Sequence, residues 1–299
     1  MSVTVRVPAK VNVQLAVGAA RPDGFHDLAN VFLAVGLFDE VTVTPADRLR
    51  VTCEGPDADQ VPLDRTNLAA RAAVALAERY GRTPAVHIHI AKDIPVAGGM
   101  AGGSADGAGA LLACDALWGT GASRVELLDI CAELGSDVPF SLVGGAALGI
   151  GRGEKLTVLE TGGDFHWVFA MAERGLSTPA VFREFDRLVA VADSEVPVPV
   201  ASPELLDALA KGDPDALAAT VSNDLQPAAL SLFPALADTL DAGRAAGALT
   251  ALVSGSGPTT AFLARDAVAA RQVAEALSVS GTCRSVRVAA GPAPGASVL

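Results

Sequence analysis

Pro95-Val96-Ala97-Gly98-Gly99-Met100-Ala101-Gly102-Gly103-Ser104-Ala105-Asp106 joins an alternating segment, Val86-His87-Ile88-His89-Ile90, to an Ala- and Leu-rich run that ends near Trp118. The alternation predicts a strand and the run predicts a helix. Gly98, Gly99, Gly102 and Gly103 place a turn almost free of side chains between them. Such a turn lets backbone N–H groups close on a ligand, and the helix N-terminus adds partial positive charge. The stretch therefore points to a phosphate ester or nucleotide, with a purely structural glycine turn as the competing reading. It lacks the G-x-x-x-x-G-K-[ST] and G-x-G-x-x-G spacings, and the chain has no H-R-D or D-F-G, so Walker, Rossmann and protein-kinase loops are not indicated. Ser104 either caps the helix or offers a hydroxyl to a phosphate-bound Mg²⁺.

Working outward, strand patterns occur at 3–7, 11–17, 31–35, 40–44 and 49–53, before the 85–90 strand. Helices are expected at 67–80, 104–118 and 124–134, the last with a capping box of Ser123 and Glu126. A Gly-Ile-Gly-Arg-Gly-Glu turn at 149–154 suggests a seam. Beyond it, strands are expected at 167–172, 248–253, 259–264 and 284–290, with helices at 203–211, 214–222, 234–246 and 266–277. Strands and helices mix without strict alternation, which favours α+β over a doubly wound parallel sheet.

Four further clusters carry polar groups in unusual settings. Lys10 and Asn12 interrupt the apolar run Val7, Val11, Val13, Leu15, and lysine is rarely buried without a partner. Lys10 is either an exposed strand residue or an ammonium aimed into a site. Arg21-Pro22-Asp23-Gly24-Phe25-His26 is a turn followed by an aromatic face and an imidazole. Leu134-Gly135-Ser136-Asp137-Val138-Pro139 sets one carboxylate in a tight turn, as a cap or as a base or cation partner. Ser254-Gly255-Ser256-Gly257-Pro258 is a second glycine turn, between strands.

The order P-A-K-x-N, P-x-x-x-G-x-x-G-S-x and S-G-S-G resembles the three motifs of the GHMP kinase superfamily, over residues 3 to about 264. The R-P-D-G-F-H and L-G-S-D-V-P elements, at 21–26 and 134–139, are similar to its family of 4-diphosphocytidyl-2-C-methyl-D-erythritol kinases, ATP-dependent enzymes of the non-mevalonate isoprenoid pathway. The resemblance implies a two-domain α+β fold, with the active site in the cleft between an ATP-binding domain at 1–155 and a second domain at 156–284. A strand and tail at 285–299 remain outside both, with a return to the first domain as one reading. It implies Asp137 as catalytic base and Lys10 as its charge partner. ATP would lie on Pro95, Val96, Ala97, Gly98, Gly99, Met100, Ala101, Gly102, Gly103 and Ser104, with Lys92 and Asn67 near the adenosine. Asn12 and His26 would contact the substrate, Phe25 and Phe182 would sandwich the cytosine, and Thr178 and the Ser254, Gly255, Ser256, Gly257 turn would complete that side. Mg²⁺ would be held through the phosphates, with Ser104 as its candidate protein ligand.

Three positions depart from the family pattern. Phe25 stands where many relatives carry Tyr, so stacking survives without a hydroxyl. Ala101 replaces a loop glycine, so positive φ is not expected there. Ser104-Ala105-Asp106 replaces Ser-Ser-Asn and brings a carboxylate near phosphate, either turned away or toward a metal.

The same motifs leave room for another small-molecule kinase of the superfamily, acting on homoserine, mevalonate or a sugar, and for a catalytically silent nucleotide sensor. Composition narrows the partners. The 299 residues are 51% apolar and carry a net charge of −12, with no basic stripe, which argues against nucleic acid. No apolar run is long enough for a membrane span and no signal peptide is apparent. Cys53, Cys114, Cys131 and Cys283 form no C-x-x-C pair and read as free thiols of a cytoplasmic chain, monomeric or weakly dimeric.

Overall fold

In the computed structural model, which describes residues 2–96 and 98–299, the chain begins with two long strands, β1 (Val3–Ala20) and β2 (His26–Pro45). They are followed by β3 (Arg50–Glu54), α1 (Leu68–Arg79), β4 (Val86–Ala91), α2 (Gly102–Trp118), α3 (Arg124–Leu134), α4 (Val138–Val143), β5 (Ala146–Gly151) and β6 (Lys155–Leu159). The second half holds β7 (Phe165–Met171), α5 (Thr178–Ala192), α6 (Pro203–Lys211), α7 (Pro214–Thr220), β8 (Ser222–Asn223), α8 (Gln226–Leu232) and α9 (Leu236–Ala245). It closes with β9 (Thr250–Val253), β10 (Thr260–Ala264), α10 (Ala267–Val279), β11 (Ser285–Gly291) and β12 (Ser297–Val298).

The strands form two sheets. The first has the order β12-β1-β2-β4-β3, with β5 and β6 continuing from β2 and β8 beside β1; the second is β11-β7-β10-β9. The segments expected as separate strands at 3–7 and 11–17 are one strand, and so are those at 31–35 and 40–44. Bulges between Pro8 and Ala9 and between Asn12 and Gln14 absorb the proline without ending β1. Bulges re-aim side chains, and these two bracket Lys10 and Asn12. The seam expected near 149–155 is the β5–β6 hairpin, and both its strands belong to the first sheet, so the change of sheet falls between Leu159 and Phe165. β11 belongs to the second sheet, and the tail then crosses back, β12 pairing with β1 at Val5 and Val298.

α2 carries the glycine turn and lies close against the first sheet. A Cβ on Gly109 would come within 2.8 Å of Val7 and 2.9 Å of Val41, so only a bare backbone allows this approach. The small residues Ala105, Ala108, Ala110 and Ala113 complete the buried face. α3 starts at the expected box, Ser123 and Glu126 satisfying each other's backbone N–H, worth about 1 kcal/mol. One core runs under both sheets, joining Val7, Val41 and Ile88 to Trp167, Phe169 and Leu263. Cys114 and Cys131 are buried and Cys53 and Cys283 half-buried, all four free. Among the described residues no helix is long and apolar enough to cross a membrane.

Candidate active site

The cleft between the two sheets has a volume of about 790 Å³ and is lined by residues from all the polar clusters of the sequence. At its floor, the Lys10 ammonium donates to Asn12 Oδ1 at 2.5 Å and to the Gly99 carbonyl at 2.8 Å. Asn12 in turn donates from Nδ2 to Asn30 Oδ1 at 2.7 Å, which fixes the orientation of both amides. Asp137 Oδ2 stands 3.7 Å from Lys10 Nζ. Asp137 occupies the N-cap position of α4, yet its side chain makes no cap hydrogen bond. The carboxylate therefore stays free to face Lys10 and, 32% exposed, the cleft. Burial pulls the Lys10 ammonium below its ordinary value, against the attraction of Asp137.

The glycine turn forms the adjacent wall. α2 starts at Gly102, two residues before the expected Ser104, so Ser104 is not the N-cap. That position belongs to Ala101, which offers no side-chain acceptor. The first intrahelical bond from this turn runs from Ala105 N to the Ala101 carbonyl, leaving the amides of Gly102, Gly103 and Ser104 as the uncapped start of the helix. Such amides, with the helix dipole behind them, suit phosphate. The expectation that Ala101 avoids positive φ is wrong: its φ is 61°. The chain must turn sharply there to enter α2, and the left-handed conformation costs a non-glycine residue about 1–2 kcal/mol. Gly99 has no alternative, because at φ 74° a Cβ would stand 2.1 Å from the Ser254 carbonyl.

The 254–258 turn locks onto this wall. Ser254 is fully buried and donates from Oγ to the Gly99 carbonyl at 3.1 Å, so it ties the two glycine turns together while Gly255, Ser256 and Gly257 face the cleft. Ser256 and Thr178 hydroxyls lie 2.8 Å apart, joining the turn to the start of α5.

The far end of the cleft is aromatic. His26 is buried at the start of β2, with Nε2 2.8 Å from Asp186 Oδ1, so the Nε2 proton is directed at that carboxylate. The Phe182 ring stands 5.0 Å from the His26 ring, and Phe25 is 49% exposed on the rim.

Other predicted residues lie away from the open cleft. Lys92 is buried behind the loop, its ammonium 2.5 Å from Asp39 Oδ2 and 3.0 Å from Asp106 Oδ2. Asp106 thus turns away from the cleft, to Lys92. Asn67 caps α1, accepting from Ala69 N at 2.8 Å and donating to the Pro62 carbonyl. Met100 is fully buried, Pro95 and Val96 line a small recess beside the loop, and Ala97 lies outside the described residues. Asn30, Asp186, Arg152 and Asp39 were not marked by the sequence. Asn30 alone had a signal, a polar residue before the apolar run at 31–35. No group of three or more His, Cys, Asp or Glu among the described residues could hold a metal.

The chain is similar to known proteins over its whole length. Residues 67–145 match the GHMP kinases N terminal domain and residues 205–281 the GHMP kinases C terminal domain. The chain is 81% identical, over the whole of both chains, to a 4-diphosphocytidyl-2-C-methyl-D-erythritol kinase of Streptomyces avermitilis. It is 58% identical to one of Thermobifida fusca, covering 100% of this chain and 98% of that protein. A crystal structure of a 4-(cytidine 5'-diphospho)-2C-methyl-D-erythritol kinase superposes with a TM-score of 0.76 at 32% identity, over 96% of this chain and 98% of the other. A homoserine kinase from Cytophaga hutchinsonii superposes equally well, TM-score 0.76, at 20% identity, a likeness of fold alone.

Proposed function

The chain belongs to the 4-diphosphocytidyl-2-C-methyl-D-erythritol kinases of the GHMP kinase family, ATP-dependent small-molecule kinases, and from that membership we propose how its cleft works. The γ-phosphoryl group of ATP passes directly to the 2-hydroxyl of 4-diphosphocytidyl-2-C-methyl-D-erythritol. Asp137 accepts the hydroxyl proton, the oxygen bonds to the γ-phosphorus, and the bond to the departing ADP oxygen breaks. The observation that carries this reading is the Lys10–Asp137 pair at 3.7 Å beside the uncapped start of α2.

Each part has a physical task. Phosphoryl transfer needs alignment, charge stabilisation and a proton acceptor. The amides of Gly102, Gly103 and Ser104 fit the anionic phosphates. Lys10 has a lowered affinity for its proton and an incomplete set of negative neighbours, so added negative charge in the cleft suits it. Its ammonium also holds the Asp137 carboxylate beside the cleft, where it can take a proton. Mg²⁺ fits only as a phosphate-held ion, because Ser104 Oγ is the available side-chain ligand at the loop; when bound it neutralises phosphate charge. At the far end Phe25 and Phe182 are suited to stack on cytosine and His26, its Nε2 engaged by Asp186, to present its other ring nitrogen to the base edge. Asn12 and Thr178 lie on the path between. We place the enzyme in the cytoplasm, as a monomer or weak homodimer with small-molecule partners, in keeping with its free cysteines.

The test is ATP turnover with 4-diphosphocytidyl-2-C-methyl-D-erythritol against homoserine, mevalonate and a hexose. Phosphorylation of the cytidylyl substrate alone is expected. Preference for another alcohol, or no turnover of any, overturns the assignment.

A further inference from the structure

Arg152 belongs to the β5–β6 turn, which the sequence marked only as a seam. In the structure its guanidinium lies over the Phe25 ring, 5.1 Å from the centroid, and lines the cleft. One carboxylate pairs with it loosely: Glu154 Oε2 accepts from the Arg152 backbone N–H at 2.7 Å, and Oε1 stays 4.0 Å from the side-chain Nε. Among the described residues the guanidinium donates no hydrogen bond, and its side chain is 35% exposed. A cation stacked on an aromatic face keeps its N–H groups in the ring-parallel plane, free at their edge.

Its place in the cleft is as informative. Phe25 is on one side of it. Ser136 and Asp137 line the same cleft, and a Cβ built on the neighbouring Gly153 would stand 4.0 Å from Ser136. Arg152 thus stands between the aromatic end and the catalytic carboxylate. In a cytidylyl diphosphate ester the diphosphate lies between the base and the reacting alcohol. Lys10, held by Asn12 and Gly99 beside Asp137, lies at the floor of the cleft and away from this aromatic end. Arg183 is the other cation at this end, exposed on α5. For a chain of net charge −12, binding an anionic substrate requires a local cation of this kind.

We propose that Arg152 holds the diphosphate of the cytidylyl substrate, with Phe25 as the platform that orients its guanidinium. This rests on the substrate reading above. It also gives the missing Tyr hydroxyl a replacement: the donors sit on the arginine above the ring.

The experiment compares wild type with Arg152→Ala and Arg152→Lys, by steady-state kinetics and by calorimetric binding of CDP and of cytidine. Hydrogen bonds to charged groups set the expected scale. Arg152→Ala raises KM for the cytidylyl substrate about 10- to 100-fold and leaves KM for ATP within about twofold. CDP binding weakens by a similar factor while cytidine binding holds, and Arg152→Lys restores part of the loss, since it keeps the charge without the fork. An unchanged KM overturns the proposal. Equal weakening of CDP and cytidine also overturns it, because it reduces Arg152 to a support for the Phe25 ring. Should Arg152→Ala fail to fold, the CDP-to-cytidine contrast is read from Arg152→Lys and Arg152→Gln, where no selective loss of CDP overturns the proposal. Wild-type turnover is measured in the same series, so failure of the substrate reading shows there, and failure of Arg152 shows only in the variants.

Discussion

Lys10 and Lys92 are both cut off from water, with side chains 5% and 1% exposed, yet their surroundings are opposite. Lys92 has two buried carboxylates within 3.0 Å, Asp39 and Asp106. Burial works against its charge, but the pull of Asp106 and Asp39 together exceeds it and raises the ammonium above its ordinary value. Lys10 has two neutral oxygens as its close partners and one carboxylate at 3.7 Å that is itself 32% exposed. There burial wins and the ammonium is lowered. The first arrangement is closed upon itself. The second is short of negative charge on the side that faces the cleft. Burial of a lysine therefore says little by itself; what offsets the buried charge separates a strut from a site.

Removing either half of the open pair has the largest expected effect. Lys10→Ala and Asp137→Asn each lower kcat by about 10²–10⁴-fold, the usual range for a general acid–base role. The two differ in melting temperature: Asp137→Asn falls below wild type, because it leaves the buried Lys10 ammonium without its one carboxylate, whereas Lys10→Ala also deletes that incompletely offset charge and falls less. Normal turnover in either variant removes the site side of the comparison. The closed group responds in stability instead. Lys92→Met leaves Asp39 and Asp106 buried without their cation, a loss of about 3–5 kcal/mol, measurable by urea unfolding. Its kcat per folded molecule stays within about tenfold of wild type. A loss below about 1 kcal/mol, or a kcat as low as that of Lys10→Ala, erases the distinction between the two lysines.

How much of this was visible in the sequence follows the distance over which each group acts. The strand, the glycine turn and the helix after it are continuous in the chain, and their patterns were readable at once. Lys10, His26 and Asp137 stood out because each is a polar residue fixed within a short motif. Partnerships were not readable. Asp186 reaches His26 across 160 residues, and Asp39 reaches Lys92 across 53, with nothing local to mark either carboxylate. Lys92 and Asn67 were placed near adenosine by resemblance, while the structure shows their polar atoms tied to Asp39 and Asp106 and to the backbone around α1. α5 is not among the expected helices although Val181, Phe185 and Leu188 repeat at helical spacing; from this segment only Thr178 and Phe182 are named. α4, six residues long, is too short for periodicity to show. Ala101 shows the limit of residue preference: alanine avoids positive φ, but the entry into α2 imposes it.

The smallest expected effect is one of pH, and it asks which member of the closed group carries the proton. Asp39 accepts from Asp93 N, Ile94 N and Lys92, whereas Asp106 Oδ1 has no partner. Burial, with the repulsion of Asp39, pushes the Asp106 carboxyl up to about 8 in spite of Lys92. An unfolded aspartate titrates near 3.9, so between about pH 4 and pH 8 the folded chain binds a proton that the unfolded chain has lost. Stability then falls as pH rises through that window. Lys92, raised above 10.5, contributes stability that is lost only at higher pH and leaves the window unaffected. Lys10, lowered, works with the opposite sign: the unfolded chain holds its proton longer, so stability rises as pH approaches 10.5. In Asp106→Asn the titrating proton is gone while an amide keeps the volume. The variant should gain on wild type as the pH is raised from 5 to 8, measured as the difference in unfolding free energy in urea. Parallel pH profiles for the two proteins would mean that Asp106 is charged throughout this range beside Lys92.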